Sequence, residues 1–155
     1  MPIPIISDAT CIIALHRIGR LSILKSLYGT IMVPPAVMRE ILDIHEKWIK
    51  VEEIKNIDLV TSLLHMLDAG ESEAIALAVE HPRSLLITDD RKARKMALSF
   101  RVRITGTLGV LALALRNGLV EDLKTVIEEL EREGFYMTRA LKDEALALGK
   151  KKKKS

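Results

Sequence analysis

Residues 85 to 94 read LLITDDRKAR, an apolar run that ends in two adjacent carboxylates and then passes into three cations, Arg91, Lys92 and Arg94, with Lys95 next in the chain. Leu85, Leu86 and Ile87 have the character of a short buried strand, and Thr88 or Asp89 would cap a helix that begins near Asp90. One aspartate is enough for that task. The second gains only roughly 0.3 to 1 kcal/mol from the helix dipole, so capping alone does not explain a pair. The basic stretch runs on through Arg101 and Arg103, with no acid between 91 and 103. Acids beside such a run can hold a hard cation while the basic residues hold a phosphate backbone.

The pair has to be placed by its neighbours in the chain. Ile3 to Ile6 is a β-branched run, and Ser7 or Asp8 caps a helix carrying Ile12, Ile13 and Leu15. Leu21 to Leu27 is a second helix stopped by Gly29, and Thr30 to Val33 a second strand. Pro34 and Pro35 suit the first turn of a helix reaching about Lys47, with Val37, Ile41, Leu42 and Ile44 as its apolar stripe and Glu40 off the stripe's centre. Ile57 to Leu67 is a further helix, and Gly70 starts the next, with Ala74, Ile75, Leu77 and Ala78 inward. Leu85 to Ile87 is then the third strand, and a helix from Asp90 to Ser99 leads to a fourth at Val102 to Ile104. Three helices follow: one after the turn at Thr105 to Thr107, one over Asp122 to Glu133, and a last over Arg139 to Leu148. Strands alternating with helices imply a parallel sheet covered on both faces. Ligands of such sheets bind beyond the carboxyl ends of the strands, where Asp8, Asp89 and Asp90 all fall.

Acids gathered from distant segments repel one another. Two carboxylates roughly 6 Å apart cost roughly 3 kcal/mol at an effective dielectric of 20, so either protons or a cation must sit among them. With only oxygen donors present, magnesium or manganese suits the site, and a water held by such an ion can attack a phosphodiester. A haloacid-dehalogenase-like phosphatase would need a second aspartate two residues after the first, where this chain has Thr10. A response-regulator receiver would carry its acid pair after the first strand rather than the third.

Composition narrows the setting. The 155 residues, 48% hydrophobic and 29% charged, suit one globular domain over 1–148. The net charge of +3 includes +5 from Lys150 to Lys154, which leaves the remainder at −2. Residues 149–155 are expected to be a disordered lysine-rich tail. MPIPIISD reaches an acid too early for a secretory signal, ITGTLGVLALAL is too short to span a membrane, and a cytoplasmic location is expected. Cys11 is the only cysteine and His16, His45, His65 and His81 lack metal-ligand spacing, which excludes a disulfide framework and a cysteine-rich zinc site. Aromatics are only 3%, so a base-stacking surface is not expected and recognition would rest on backbone charge and shape.

Five stretches together, IISDATCIIAL, VPPAVMREI, LDAGESEAIALA, LLITDDRKAR and VRITGTLGVLALALRNG, resemble the PIN-domain family, in a prokaryotic branch related to the VapC toxins. The resemblance rests on the order and spacing of the five and runs from about Ile3 to Leu141. It implies a three-layer α/β/α fold with a parallel sheet of four or five short strands, and an acidic pocket for magnesium or manganese that hydrolyses RNA phosphodiesters. It places the first acid at Asp8, the second at Glu40, the third at Glu71 and the fourth at Asp90. Glu71 stands where the family usually has aspartate, and Glu73 is its rival; two residues apart on a helix they point about 200° from each other, so one of them enters the pocket. Asp89 is Asp90's rival as ligand, and the partner left over caps the helix or stands behind the ligands. Thr107 is a turn or cap residue or adds a hydroxyl to the rim. Arg91, Lys92, Arg94 and Lys95 are expected to bind substrate. The implied partners are RNA, an antitoxin protein if the chain is a toxin, and a second copy in a homodimer, for which the apolar helices around Leu111 to Leu115 and Val126 to Leu130 are the expected faces. The other class of function is a non-catalytic nucleic-acid-binding or protein-interaction module with a vestigial acidic pocket.

Overall fold

Five strands of only three residues each form the centre of a computed structural model that describes residues 3–151. They are β1 Ile5–Ser7, β2 Ile31–Val33, β3 Ile49–Val51, β4 Leu85–Ile87 and β5 Arg103–Thr105. All pair in parallel, in the order β3-β2-β1-β4-β5. The side-chain alternation of a strand divides the core in two. Ile5, Ile31, Val33 and Ile87 face one apolar cluster, and Ile6 and Leu86 face the other.

The first cluster is closed by helices α1 Ala9–Arg17, α2 Ser22–Tyr28, α7 Thr107–Arg116, α8 Leu123–Arg132 and α9 Arg139–Lys151. The second is closed by α4 Ile57–Leu63, α5 Ala69–Glu80 and α6 Arg91–Ser99. The result is the three-layer α/β/α fold expected. Helix α3, Pro35–Glu40, bridges at one end, contributing Val37 to the first cluster while packing on α5.

The order reverses at β1, whose neighbours β2 and β4 lead away on opposite sides. At this switch point the loops after β1 and β4 part and leave a crevice. Register carries the pairing one residue past the strands: Ser7 opposes Ile87, and the Asp8 amide donates to the Ile87 carbonyl at 3.0 Å. Asp8 and Thr88 are therefore neighbours at the centre of the carboxyl edge.

The structure corrects several expected boundaries. The helix expected from Pro34 to Lys47 ends at Glu40, and Ile41 to Asp43 form a turn. Leu42, read as part of its apolar stripe, is exposed. The chain then forms β3, an edge strand that buries only Ile49 of its three residues and so shows no alternation to read. Helix α9 continues to Lys151, into the segment expected to be a disordered tail, while residues 152–155 lie outside those described. The apolar faces of α7 and α8 expected to pair two copies are occupied within the chain: Leu111, Ala114, Val126, Ile127 and Leu130 are all buried in the first cluster, which also takes in Ala145 of α9. Among the described residues no helix is long and apolar enough to cross a membrane.

Candidate acidic site

Each acid of the carboxyl edge is positioned by a helix terminus. Asp8 is the N-cap of α1, its carboxylate accepting from the Thr10 amide at 3.2 Å. It is 5% exposed, and burial with the nearby charges of Asp89 and Glu71 raises its pKa to about 7, against the smaller opposing pull of the Thr88 hydroxyl and the Thr10 amide. Thr88 Oγ1 is itself buried without a well-formed hydrogen bond, so the wall beside Asp8 contains a polar atom with unused capacity.

Glu71 lies on the first turn of α5. Asp68, the N-cap, accepts from the Glu71 amide at 2.8 Å, and the Glu71 carboxylate accepts from the Asp68 amide at 3.4 Å, a reciprocal capping box. Burial, then the charges of Asp68, Asp90 and Glu40, raise the Glu71 pKa to about 7. Glu40, at the end of α3, is shifted upward too, by burial and by Asp68. Gly70 lets the helices carrying these acids approach: a Cβ there would lie 3.0 Å from Glu40 Oε1 and 3.7 Å from Asp68 Oδ1. Glu73 turns elsewhere. Its Oε1 accepts from the Ala36 amide at 2.9 Å and its Oε2 lies 3.9 Å from Arg39, so it caps α3 across the α3–α5 contact.

The adjacent aspartates divide their work. Asp90, not Thr88 or Asp89, is the N-cap of α6, accepting from the Ala93 amide at 2.9 Å. Asp89 reaches across to α7, whose own N-cap, Gly106, has no side chain to offer. It accepts from the Thr107 amide at 2.8 Å and from the Thr107 hydroxyl at 2.5 Å. Thr107 is thus a buried helix-opening residue whose hydroxyl is turned to Asp89. A side chain at 106 would displace these groups, since a Cβ would lie 2.6 Å from Asp89 Oδ1 and 2.9 Å from an Arg94 guanidinium nitrogen. Arg94 in turn donates to the Thr88 carbonyl at 2.9 Å, so of the four expected phosphate contacts it is the one engaged with the chain's own backbone. Arg91, Lys92 and Lys95 are exposed on α6.

The carboxyl edge therefore brings Asp8, Glu40, Glu71, Asp89 and Asp90 into one electrostatic neighbourhood and sends Glu73 outside it. It also contains Asp68, which sequence reasoning passed over. Its signal is the D-x-x-E spacing of Asp68 and Glu71 in LDAGE, that of a capping box, which a helix start at Gly70 hides. Among the described residues, no three acids stand close enough as their side chains lie to hold one ion. The donors nevertheless fit a hard cation in type and charge, since they are all oxygens, neighbouring carboxylates raise the pKa of Asp8 and of Glu71, and a hydroxyl without a well-formed hydrogen bond lies beside the most buried of them.

A strand order that reverses at β1, with acids at the helix starts around the break, defines an α/β protein with a candidate site at the switch point. A family model described as PIN domain matches residues 4–151, and the chain belongs to the PIN-domain family. It has a nuclease-type fold, and PIN domains are generally nucleases that use divalent metals. No curated protein matches the sequence.

Proposed function

We propose that the protein is a magnesium- or manganese-dependent endoribonuclease, VapC-toxin-like or a stand-alone relative. The observation that carries this reading is the convergence of acids from separate segments, the buried Asp8 after β1, Glu71 on α5 and Asp90 after β4, at the switch point of the sheet, where burial first and neighbouring carboxylates second raise Asp8 and Glu71 to about 7. Asp8, Glu40, Glu71 and Asp90 would hold the ion, with Asp89 beside them, and the ion would supply charge neutralisation and an activated water for phosphodiester hydrolysis. Asp8 would bind as the carboxylate, so its proton must leave before the ion enters. Arg91, Lys92 and Lys95 would bind the RNA backbone without reading sequence. Arg94 would act indirectly by holding the Thr88 carbonyl and the loop that carries Asp89 and Asp90. A cytoplasmic toxin would be paired with an antitoxin, and the family resemblance supports a homodimer.

One observation favours the other class, a binding module with a vestigial pocket: Asp89 and Asp90 are both used as helix caps and no three acids are set around one ion. Cleavage of labelled RNAs with manganese, with magnesium and with chelator separates the two. The nuclease reading expects cleavage that chelator abolishes and that Asp8→Asn lowers by at least a hundredfold. Metal-dependent cleavage unchanged in Asp8→Asn, Glu40→Gln and Asp90→Asn singly would belong to a contaminant and end the catalytic reading.

A further inference from the structure

At the opposite edge of the sheet, by the amino ends of β4 and β5, a cavity of about 540 Å³ opens between the turn after α5 and the turn after α6. The acids play no part in it. Its lining combines Ile3, Phe100 and Val102 with Arg83, Arg101 and Arg103, and no acidic residue is among the described lining residues. His81 at its border is turned to Glu52, 3.5 Å away. Phe100 is one of only two phenylalanines in the chain and is 40% exposed beside these arginines. The volume lies in the range of small-ligand pockets, roughly 300 to 1,000 Å³.

Two arginines are held there at a backbone cost. Arg83 (φ 74°) and Arg101 (φ 61°) are the only non-glycine residues with positive φ among those described. Arg101 stands just past α6, where the Val102 amide donates to the Ala97 carbonyl at 3.0 Å and its own amide to Leu98 at 2.9 Å. Glycine is the usual occupant of that left-handed position and would adopt it without strain. The Arg103 guanidinium donates to the Arg83 carbonyl at 3.0 Å, joining the two turns. Three arginines and an exposed aromatic residue lining one cavity match a ligand that is anionic at one end and flat and apolar at the other.

We propose that this cavity binds a nucleotide unit, with its phosphate on Arg83, Arg101 and Arg103 and its base against Phe100. The unit comes either from a free nucleotide or from an RNA strand. Helix α6 supports the second source. It starts at the acid edge with Asp90 and ends at Phe100 beside the cavity, and its nine residues span about 14 Å, with Arg91, Lys92 and Lys95 exposed along the way. The chemistry of the cavity does not depend on the nuclease reading, which bears only on the source.

The test is calorimetric binding to the full chain in chelator, where cleavage does not occur, so that failure of one reading leaves the other standing. The probes are adenosine 5′-monophosphate, adenosine, inorganic phosphate and a 5′-phosphorylated decaribonucleotide. The monophosphate is expected to bind at least tenfold more tightly than adenosine or phosphate. The double variant Arg83→Gly, Arg101→Gly is expected to weaken it at least tenfold while its Tm stays level or rises, since glycine relieves both strained positions. A decaribonucleotide that competes with the monophosphate, and is weakened in the same variant, identifies RNA as the source; one that does not compete identifies the free nucleotide. Equal binding of the three small probes, affinity unchanged in the double variant, or a fall in its Tm would overturn the assignment.

Discussion

Asp8 links the stability of the fold to the proposed chemistry. As a cap it stabilises α1, and as a buried carboxylate with a pKa near 7 it opposes the fold once ionised. Its folded pKa lies above the unfolded value of 3.8, so the folded state holds the proton more tightly and stability falls as pH rises from about 4 through about 7. Asparagine caps a helix about as well as aspartate and does not ionise. In chelator, Asp8→Asn is therefore expected to raise Tm at pH 8 by roughly 3 °C or more and to have less effect at pH 5. Thermal melts of both proteins at the two pH values check this; an equal offset at both would show that Asp8 ionisation does not oppose folding. Glu71 shifts in the same direction, but it is only half-buried and solvent screens it, so Glu71→Gln should follow the same pattern with a smaller amplitude.

At the scale of elements, the site is held by caps supplied across the fold as well as within each helix. Asp89, on the loop before α6, caps α7, and Glu73, on α5, caps α3. Asp89→Ala should cost roughly 1 to 2 kcal/mol. Gly106→Ala should cost a similar amount by driving the Asp89 carboxylate off the Thr107 amide. Both changes break the same contact, so the double variant should cost clearly less than the sum of the singles; strict additivity in urea melts would show that they act separately. Glu73→Ala should cost roughly 1 kcal/mol by freeing the start of α3. Because Glu40 ends that helix, the variant should also weaken manganese binding, whereas Glu73→Gln keeps an acceptor and should lose less of both. Manganese titrations of the two variants separate this positioning role from a ligand role, which would be lost equally in each.

For the whole molecule, the carboxyl edge carries a concentration of negative charge, while α6 and the opposite edge carry cations. Ion binding to the folded state alone raises stability, by about 2.7 kcal/mol at a hundred times Kd. Millimolar manganese should therefore raise Tm by several degrees at pH 8, and much less at pH 5, where protons occupy Asp8 and Glu71. Asp8→Asn should blunt the rise. A melting curve unmoved by manganese at pH 8 would remove the case for an ion at this edge. The burial of the α7 and α8 faces within the chain makes assembly a separate question, which light scattering at tens of micromolar decides: a dimer mass is expected, and a monomer mass would refute it.

Period and punctuation were enough to determine the layer order and the location of the acids. Ile-rich runs between helices specify short parallel strands, and an acid directly after such a run must lie at the carboxyl edge, so the sequence alone places Asp8, Asp89 and Asp90 there. β3 was hidden because a three-residue edge strand burying one side chain has no pattern to detect. The roles within the cluster were hidden for a different reason. Glu71 and Glu73 differ only in which neighbour each meets, and Asp89 and Asp90 differ only in which helix start each reaches. Those distinctions depend on the approach of α5 to α3 and of α7 to the β4 loop, contacts between segments tens of residues apart that local propensity does not encode. The strained arginines at 83 and 101 belong to the same class. Their residue type gives no sign of positive φ, and only the folded turns bring them together around one cavity.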